Sequence, residues 1–191
     1  MRNNIFVIWG YYTITLTSNF LNDILLIEVI ALSEQDKRLH RVCFTGHRPE
    51  KLTIPEREIK ILLDKQIRKA ISDGYITFLS GMARGVDIWA AETVLAIKDE
   101  GNPIHLICCI PYDNFESRWS EDWQDKYHTI LQEADIVKYT SHKYYNGCLQ
   151  TRNVFMVDRS ARLIAVYNGE PGGTRNTIEY AKRKGVEIRL L

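Results

Sequence analysis

RLIAVYNGEPGGTRNTIE, at residues 162–179, is the stretch of sequence from which the fold can be worked out. The apolar run at 163–167 has the composition and length of a buried strand. A turn with two adjacent glycines follows it, and Thr174 then opens an amphipathic segment. Glycines let the backbone approach a ligand closely, and the first N–H groups of a helix are free to bind it. We therefore predict an anion site here, with a plain tight turn as the alternative. Its ligand-binding residues would be Gly172, Gly173 and Thr174.

Strands alternate with helices on the N-terminal side of this stretch and continue after it. Strands are predicted at 42–45, 75–79, 104–110, 136–139, 163–167 and 186–190. Helices are predicted at 55–74, 88–98, 118–132, 150–160 and 174–184. Strands that alternate with helices pair in parallel through right-handed crossovers. We therefore predict an α/β fold over residues 41–191, a three-layer Rossmann-like sandwich with a mostly parallel sheet.

Residues 1–40 differ in composition from the rest and are interpreted as an N-terminal extension and linker. Their apolar runs at 5–9 and 24–27 are interrupted, and no run of about 18 apolar residues occurs, so we predict no membrane span. The polar segment SEQDKRLHR at 33–41 is expected to be a linker. We expect the domain that follows to fold without residues 1–38.

The composition suits one soluble α/β domain in the cytoplasm. The chain has 191 residues, of which 45% are hydrophobic and 26% charged, and its net charge is +1. A charge so close to zero recruits neither nucleic acid nor an anionic membrane, so phosphate affinity must be local and nucleic-acid binding weak. Cys43, Cys108 and Cys109 lie in apolar runs typical of reduced core thiols, whereas Cys148 lies in a polar loop, where it is either a reactive thiol or, as we favour, a bystander.

Ligands of such a sheet bind outside the carboxyl ends of the strands. Glycines, histidines, arginines and aromatic residues concentrate in the segments after the strands, which read GHRPEKL, SGMARGVD, PYDNFESRW, TSHKYYNG and NGEPGGTRN. The segments before the strands are short and carry few such residues. The segments after the strands are therefore predicted to form the binding face.

The first of these segments contains Gly46, His47 and Arg48 directly after a strand. Arg48 is placed to pair with a phosphate, and the alternative is a loop arginine in solvent. His47 either donates a hydrogen bond to the same ligand or supports a residue that does.

The second segment, residues 80–87, joins a strand to a helix and carries two glycines. Close backbone approach is the role expected of glycines here, and Asp87 either caps the helix or accepts from a ribose hydroxyl. The ligand-binding residues predicted in it are Ser80, Gly81, Arg84, Gly85 and Asp87.

Trp119, Trp123 and Tyr127 are spaced four residues apart, which is typical of a packed helix face. Trp119 lies at the start of that pattern, so we keep it as a residue that stacks on a base. His128 and His142 lack neighbouring metal ligands, and no metal site is predicted.

Glu179 and Arg152 are the candidate catalytic residues. A buried carboxylate beside an arginine suits an N-glycosidic hydrolase, because the carboxylate stabilises an oxocarbenium ion or activates water while the cation fixes the phosphate. From the residues alone an ordinary salt bridge is favoured.

Three motifs resemble known families. SGMARGVDIWAAE at 80–92 resembles the signature of the DNA-processing DprA proteins. PGGTRNTIE at 171–179 resembles the PGGxGTxxE motif of LOG-type nucleoside monophosphate phosphoribohydrolases. Both families belong to the SLOG superfamily of Rossmann-like nucleotide-binding domains. With FTGHRPEKL at 44–52, the chain looks most similar to the YpsA/DUF1273 branch, common in Firmicutes and their phages.

The resemblance implies a SLOG domain over residues 41–191 that binds a nucleotide or nucleotide-derived ligand, as a sensor, without a cofactor. It puts Glu179 at the catalytic glutamate position and Arg152 at the catalytic arginine position of the LOG family, although Arg175 and Asn176 stand where that motif has Gly-Thr. Phosphoribohydrolase activity and DprA-like binding of single-stranded DNA are the alternatives. A homo-oligomer is left open.

Overall fold

The computed structural model describes residues 4–9, 12–18 and 25–191 of the chain. Residues 19–24 of the predicted N-terminal extension, including the first residue of its apolar run at 24–27, lie outside these ranges. Within the described ranges, every helix is too short or too polar to cross a membrane. The chain divides into two compact units, residues 1–38 and 39–191.

The first unit contains a three-stranded antiparallel sheet. Strand β1 (Asn4–Trp9) pairs with β2 (Tyr12–Ser18), and β2 pairs with β3 (Leu25–Ala31). Helix α1 (Glu34–Leu39) lies within the segment interpreted as a polar linker at 33–41. The Ser33 hydroxyl accepts from the Asp36 N–H at 3.2 Å, and such a cap stabilises even a short polar helix.

The second unit alternates strands with helices as predicted. Its strands are β4 (Arg41–Gly46), β5 (Thr77–Ser80), β6 (His105–Ile110), β7 (Ile136–Tyr139), β8 (Arg162–Val166) and β9 (Glu187–Leu190). Its helices are α2 (Glu56–Ser72), α3 (Val86–Asp99), α4 (Glu121–Glu133), α5 (Cys148–Asp158) and α6 (Gly173–Arg183), with a 3₁₀ turn at Pro49–Lys51. The six strands form one sheet in the order β7-β6-β5-β4-β8-β9, and every pairing is parallel.

Two hydrophobic clusters cover the two faces of this sheet, which makes the unit a three-layer sandwich. Consecutive strand residues point to opposite faces. Phe44 and Phe78 therefore join the cluster with α2, α3 and α4, where their rings stack at 6.1 Å, whereas Cys43 joins the cluster with α5 and α6. The predicted α/β fold is confirmed.

An ion-pair network closes the end of the sheet where the strands begin. The buried Arg162 guanidinium donates to Asp73 at 2.9 Å and to Glu187 at 2.8 Å, and it lies 4.4 Å from the Tyr75 ring centroid. These contacts join α2, β8 and β9 at the amino ends of the strands.

The strand order reverses between β4 and β8. From β4 the chain adds β5, β6 and β7 outward on one side, and it then returns to place β8 and β9 on the other. At such a switch point the following loops diverge and leave a crevice at the carboxyl ends of the two strands. The loops after β4 and β8 are the first and last predicted binding segments.

Candidate functional site

A cleft of about 300 Å³ opens between the loops that follow β4 and β8. Eight of the predicted site residues line it, namely Gly46, His47, Arg48, Asp87, Arg152, Gly172, Gly173 and Thr174. The lining also includes Lys51, Phe115, Leu149 and Asn153, which sequence reasoning did not select. The GHRPEKL motif contains Lys51, and Asn153 follows Arg152 directly, so both lay within reach of the motifs.

The turn between β8 and α6 exposes the start of the helix. Gly172 is the N-cap, with a φ of 148° that favours glycine, and it carries no side chain to cap the helix. A Cβ added at Gly173 would meet no described atom of the protein within 4 Å. Because Gly173 also has an ordinary φ, neither packing nor backbone conformation within the described chain demands glycine there.

His47 lies under this cleft with an unused nitrogen. The residue is only 5% exposed, and its ring stacks on Tyr167 at 5.6 Å. No group among the described residues hydrogen-bonds its Nε2 atom. Burial, with the charge of Lys51, lowers the pKa of His47 against the opposing effects of the Glu170 charge and the Asn168 side chain, so the ring is neutral at pH 7 and one nitrogen carries a proton.

Arg48 and Lys51 bring positive charge to the same edge. Lys51 Nζ lies 4.0 Å from the Glu170 carboxylate, and the Asn168 amide donates to the Lys51 carbonyl at 2.8 Å. Both contacts cross from the loop after β4 to the loop after β8. The two sides of the cleft are therefore connected above the strands.

Asp87 and Arg152 form the buried charged floor of the cleft. Burial raises the pKa of Asp87 to about 6, although the Arg152 charge and the Ala83 N–H act in the opposite direction. Burial lowers the pKa of Arg152, but an arginine stays charged near neutral pH. A Cβ at Gly81 would lie 2.4 Å from Arg152 Nη1 and 2.6 Å from Asp87 Oδ2, so glycine there leaves room for both side chains.

Asn153 connects the arginine to the start of α6. It accepts from Arg152 Nε at 2.8 Å and donates to the Thr177 hydroxyl at 2.9 Å. The Thr177 hydroxyl in turn donates to the Gly173 carbonyl at 2.8 Å. These three hydrogen bonds fix the position of Arg152 relative to the first turn of α6.

The other residues predicted in the second segment, Ser80, Gly81, Arg84 and Gly85, do not line the cleft. The Ser80 hydroxyl donates to the Asp87 carbonyl at 2.7 Å and accepts from the Met82 N–H, so it shapes the loop. Arg84 pairs with Glu50 at 2.8 Å. A Cβ at Gly85 would lie 2.9 Å from the His47 carbonyl. Ser80, Arg84 and Gly85 therefore make contacts within the protein and, like Gly81, shape the loop that carries Asp87.

Trp119 packs within the protein. It meets Phe115 edge-on at 5.1 Å and Tyr127 edge-on at 5.5 Å, and it is half-buried against the main hydrophobic cluster. Phe115 is the aromatic residue that lines the cleft. The spacing of the aromatic residues in the sequence could not show that Phe115, rather than Trp119, lines the cleft.

Glu179 does not line the cleft, and the expectation that it is buried is wrong. Its side chain is 46% exposed, and its carboxylate accepts from Arg175 at 2.8 Å, which lowers the pKa of Glu179. The inward positions of α6 are occupied by Thr174 and Thr177. The buried carboxylate beside Arg152 is Asp87.

The four cysteines are free and buried. The polar loop predicted around Cys148 is wrong at this residue, which lies in the first turn of α5 with 1% of its surface exposed. Across the described residues, no three His, Cys, Asp or Glu side chains are grouped as metal ligands.

Fold and cleft together define a Rossmann-like α/β domain with a basic crevice at its topological switch point. The YpsA family model, described as the YspA SLOG family, matches residues 42–189. The chain therefore belongs to the YpsA family of SLOG proteins. The UPF0398 protein of Halalkalibacterium halodurans is 32% identical over 163 residues, which cover 78% of this chain and 86% of the relative.

Two solved structures share the fold at low sequence identity. DNA processing protein A of Helicobacter pylori superposes with a TM-score of 0.59 at 17% identity, covering 99% of this chain and 80% of that protein. DNA processing protein A of Streptococcus pneumoniae gives a TM-score of 0.58 at 17% identity, covering 80% of this chain and half of that protein.

Proposed function

We propose that the cleft binds a nucleotide or nucleotide-derived ligand through its phosphate, and that the protein acts as a sensor of that ligand. Its charge is the first support. Among the described residues that line the cleft, Arg48, Lys51 and Arg152 are cations and Asp87 is the one carboxylate. A concave site with an excess of positive charge favours an anionic ligand.

The unexplained glycine is the observation that carries the proposal. Gly173 has open space where a side chain would be, and it begins a helix whose first two residues line the cleft and whose first N–H groups lack partners within the helix. A phosphate held by those N–H groups would need that space. His47, buried with Nε2 unpartnered among the described groups, offers a further donor to the same anion.

The residues that line the cleft suit a ligand that carries a sugar and a base as well as a phosphate. Asp87 and Asn153 provide acceptors on the floor, which suit ribose hydroxyls, and Phe115 and Leu149 provide an apolar side. The volume of about 300 Å³ lies at the small end for organic ligands. We therefore favour a nucleotide over an inorganic anion.

The two alternatives have less support. The exposed Arg175–Glu179 pair argues against hydrolysis by Glu179, because that carboxylate is outside the cleft. The Helicobacter pylori protein was described for its single-stranded DNA binding mode. With a net charge of +1 here, we expect any binding of single strands to be weak and to fall steeply with salt. Four free cysteines lead us to propose a cytoplasmic location.

The proposal is tested by a thermal-shift and calorimetry series with nucleoside monophosphates, ADP-ribose and NAD. A ligand at a hundredfold its dissociation constant stabilises the folded state by about 2.7 kcal/mol. Gly173→Val should leave the unliganded protein folded, because no described atom lies within 4 Å of the new Cβ, and it should weaken binding at least tenfold.

Asn176→Val is the matched control, because Asn176 is an exposed residue of the same helix. It should leave binding unchanged. If no nucleotide binds the unmodified protein, or if Gly173→Val binds normally, the proposed phosphate position is wrong.

A further inference from the structure

A group of three aromatic side chains extends from the cleft to the protein surface. Phe115 lines the cleft and meets Tyr112 edge-on, with ring centroids 5.4 Å apart. Tyr112 meets Tyr144 in the same way, again at 5.4 Å. We call Tyr112, Phe115 and Tyr144 the aromatic wall. Its innermost ring belongs to the cleft and its outermost ring lies in solvent.

Tyr144 is too exposed to serve the hydrophobic core. It is 68% exposed, the highest value among the large hydrophobic residues that the structure describes as exposed. With one edge contact and so much free surface, at least one face of its ring is open. The exposed ring of Tyr144 would bury its apolar surface only if a ligand stacked on it.

The wall is held in place by its two loops. The Thr140 hydroxyl donates to the Ile110 carbonyl at 3.1 Å, and His142 Nδ1 lies 3.3 Å from the Asp113 carboxylate. These contacts join the loop that carries Tyr144 to the loop that carries Tyr112. The loop contacts and the Tyr112 ring together restrict Tyr144 before any ligand arrives, which reduces the entropy lost on binding.

Positive charge lies beside the wall. Arg48, which lines the cleft, and Arg118 are both near enough for their charges to act on the Tyr112 phenol. An aromatic face next to cations that bind phosphate is the combination by which proteins hold a nucleotide: the cations take the phosphate and the ring takes the base.

We infer that Tyr144, supported by Tyr112, stacks on the base of the nucleotide whose phosphate is bound at the start of α6. The inference rests on the proposed function and adds the position of the base. It also replaces Trp119 as the stacking residue, since Trp119 is packed between Phe115 and Tyr127. Stacking tolerates every base, so the site selects for a base without fixing which one.

The test compares ligands with and without a base. Binding of the four nucleoside 5′-monophosphates and of ribose 5-phosphate is measured by calorimetry on the full chain. The unmodified protein should bind at least one nucleotide about tenfold more tightly than ribose 5-phosphate. Tyr144→Ala should remove that preference and leave ribose 5-phosphate binding unchanged, whereas Tyr144→Phe should keep it.

Tyr145→Ala is the control, because Tyr145 is the adjacent exposed tyrosine. It should bind all ligands as the unmodified protein does. If base-containing and base-free ligands bind equally, or if Tyr144→Ala weakens both alike, the base position is wrong while the phosphate site stands. If none of them binds, both proposals fail. A Tyr144→Ala effect confined to single-stranded oligonucleotides would also overturn the inference.

Discussion

Asp87 should give the stability of this protein an unusual dependence on pH. Its carboxyl is buried, and burial raises its pKa from 3.8 to about 6. In the unfolded chain the group returns to its ordinary value. Between about pH 4 and pH 6 the folded state therefore binds more protons than the unfolded state, so stability falls as the pH rises through this window.

The size of the effect follows from the shift. At 1.36 kcal/mol for each pKa unit, the shift of Asp87 corresponds to about 3 kcal/mol across the window. Asp87→Asn removes the titration and keeps an oxygen that accepts from the Ala83 N–H. The unfolding free energy of the unmodified protein minus that of Asp87→Asn should fall by about 2 kcal/mol from pH 4 to pH 6.5, which is most of the full effect.

Urea denaturation at half-unit pH steps measures this difference and cancels the titration of the other carboxylates. Asp73→Asn is a control of opposite sign. Lys69 and Arg162 lower the pKa of Asp73, so the stability that it contributes is present above its unfolded pKa and lost as the pH falls. A difference for Asp87→Asn that stays flat between pH 4 and pH 6.5 would show that the carboxyl is not desolvated as described.

Three further predictions concern the core, the outer face of α6 and the extension. Phe78→Ala should cost about 3–5 kcal/mol in urea denaturation, because Phe78 is fully buried against Phe44; a cost below 1 kcal/mol would contradict that packing. Glu179→Gln should leave nucleotide affinity within about twofold in calorimetry, since its carboxylate pairs with Arg175, and a tenfold loss would place it in the site. Deleting residues 1–38 should leave a folded unit with the same thermal shift on ligand addition, whereas an unfolded product by circular dichroism would show that the extension completes the core.

Much of the second unit could be predicted because its signals are local. Apolar runs, glycine turns and the polar segments between them are properties of neighbouring residues, and strands β4 to β9 lie close to where those signals put them. The glycines before α6 could be assigned to a helix N-terminus for the same reason. Helix α1 was missed because five of its six residues are polar and a single leucine sets no apolar periodicity, and its start depends on the single Ser33 cap.

The charged floor of the cleft could not be predicted in the same way. Asp87 begins α3 and Arg152 lies on α5, and only the return of the chain at the switch point brings them together. Glu179 was assigned to the site from its place in a motif. Its true position depends on which face of α6 packs on the sheet, and Thr177 rather than Glu179 faces inward.

The pairing of β4 with β8 has a consequence for how the protein is made. Val42 pairs with Arg162, so the two strands that bear the cleft come from opposite ends of the domain sequence. Contacts between such distant residues form late, because the long intervening loop must first be closed at a cost in entropy. During synthesis, β4 can pair with β5 on one side, but its other edge stays unpaired until the C-terminal part of the chain has left the ribosome. At the proposed site, a phosphate held by both loops would bind only after the loop that follows β8 and the start of α6 have been synthesised and have packed beside β4.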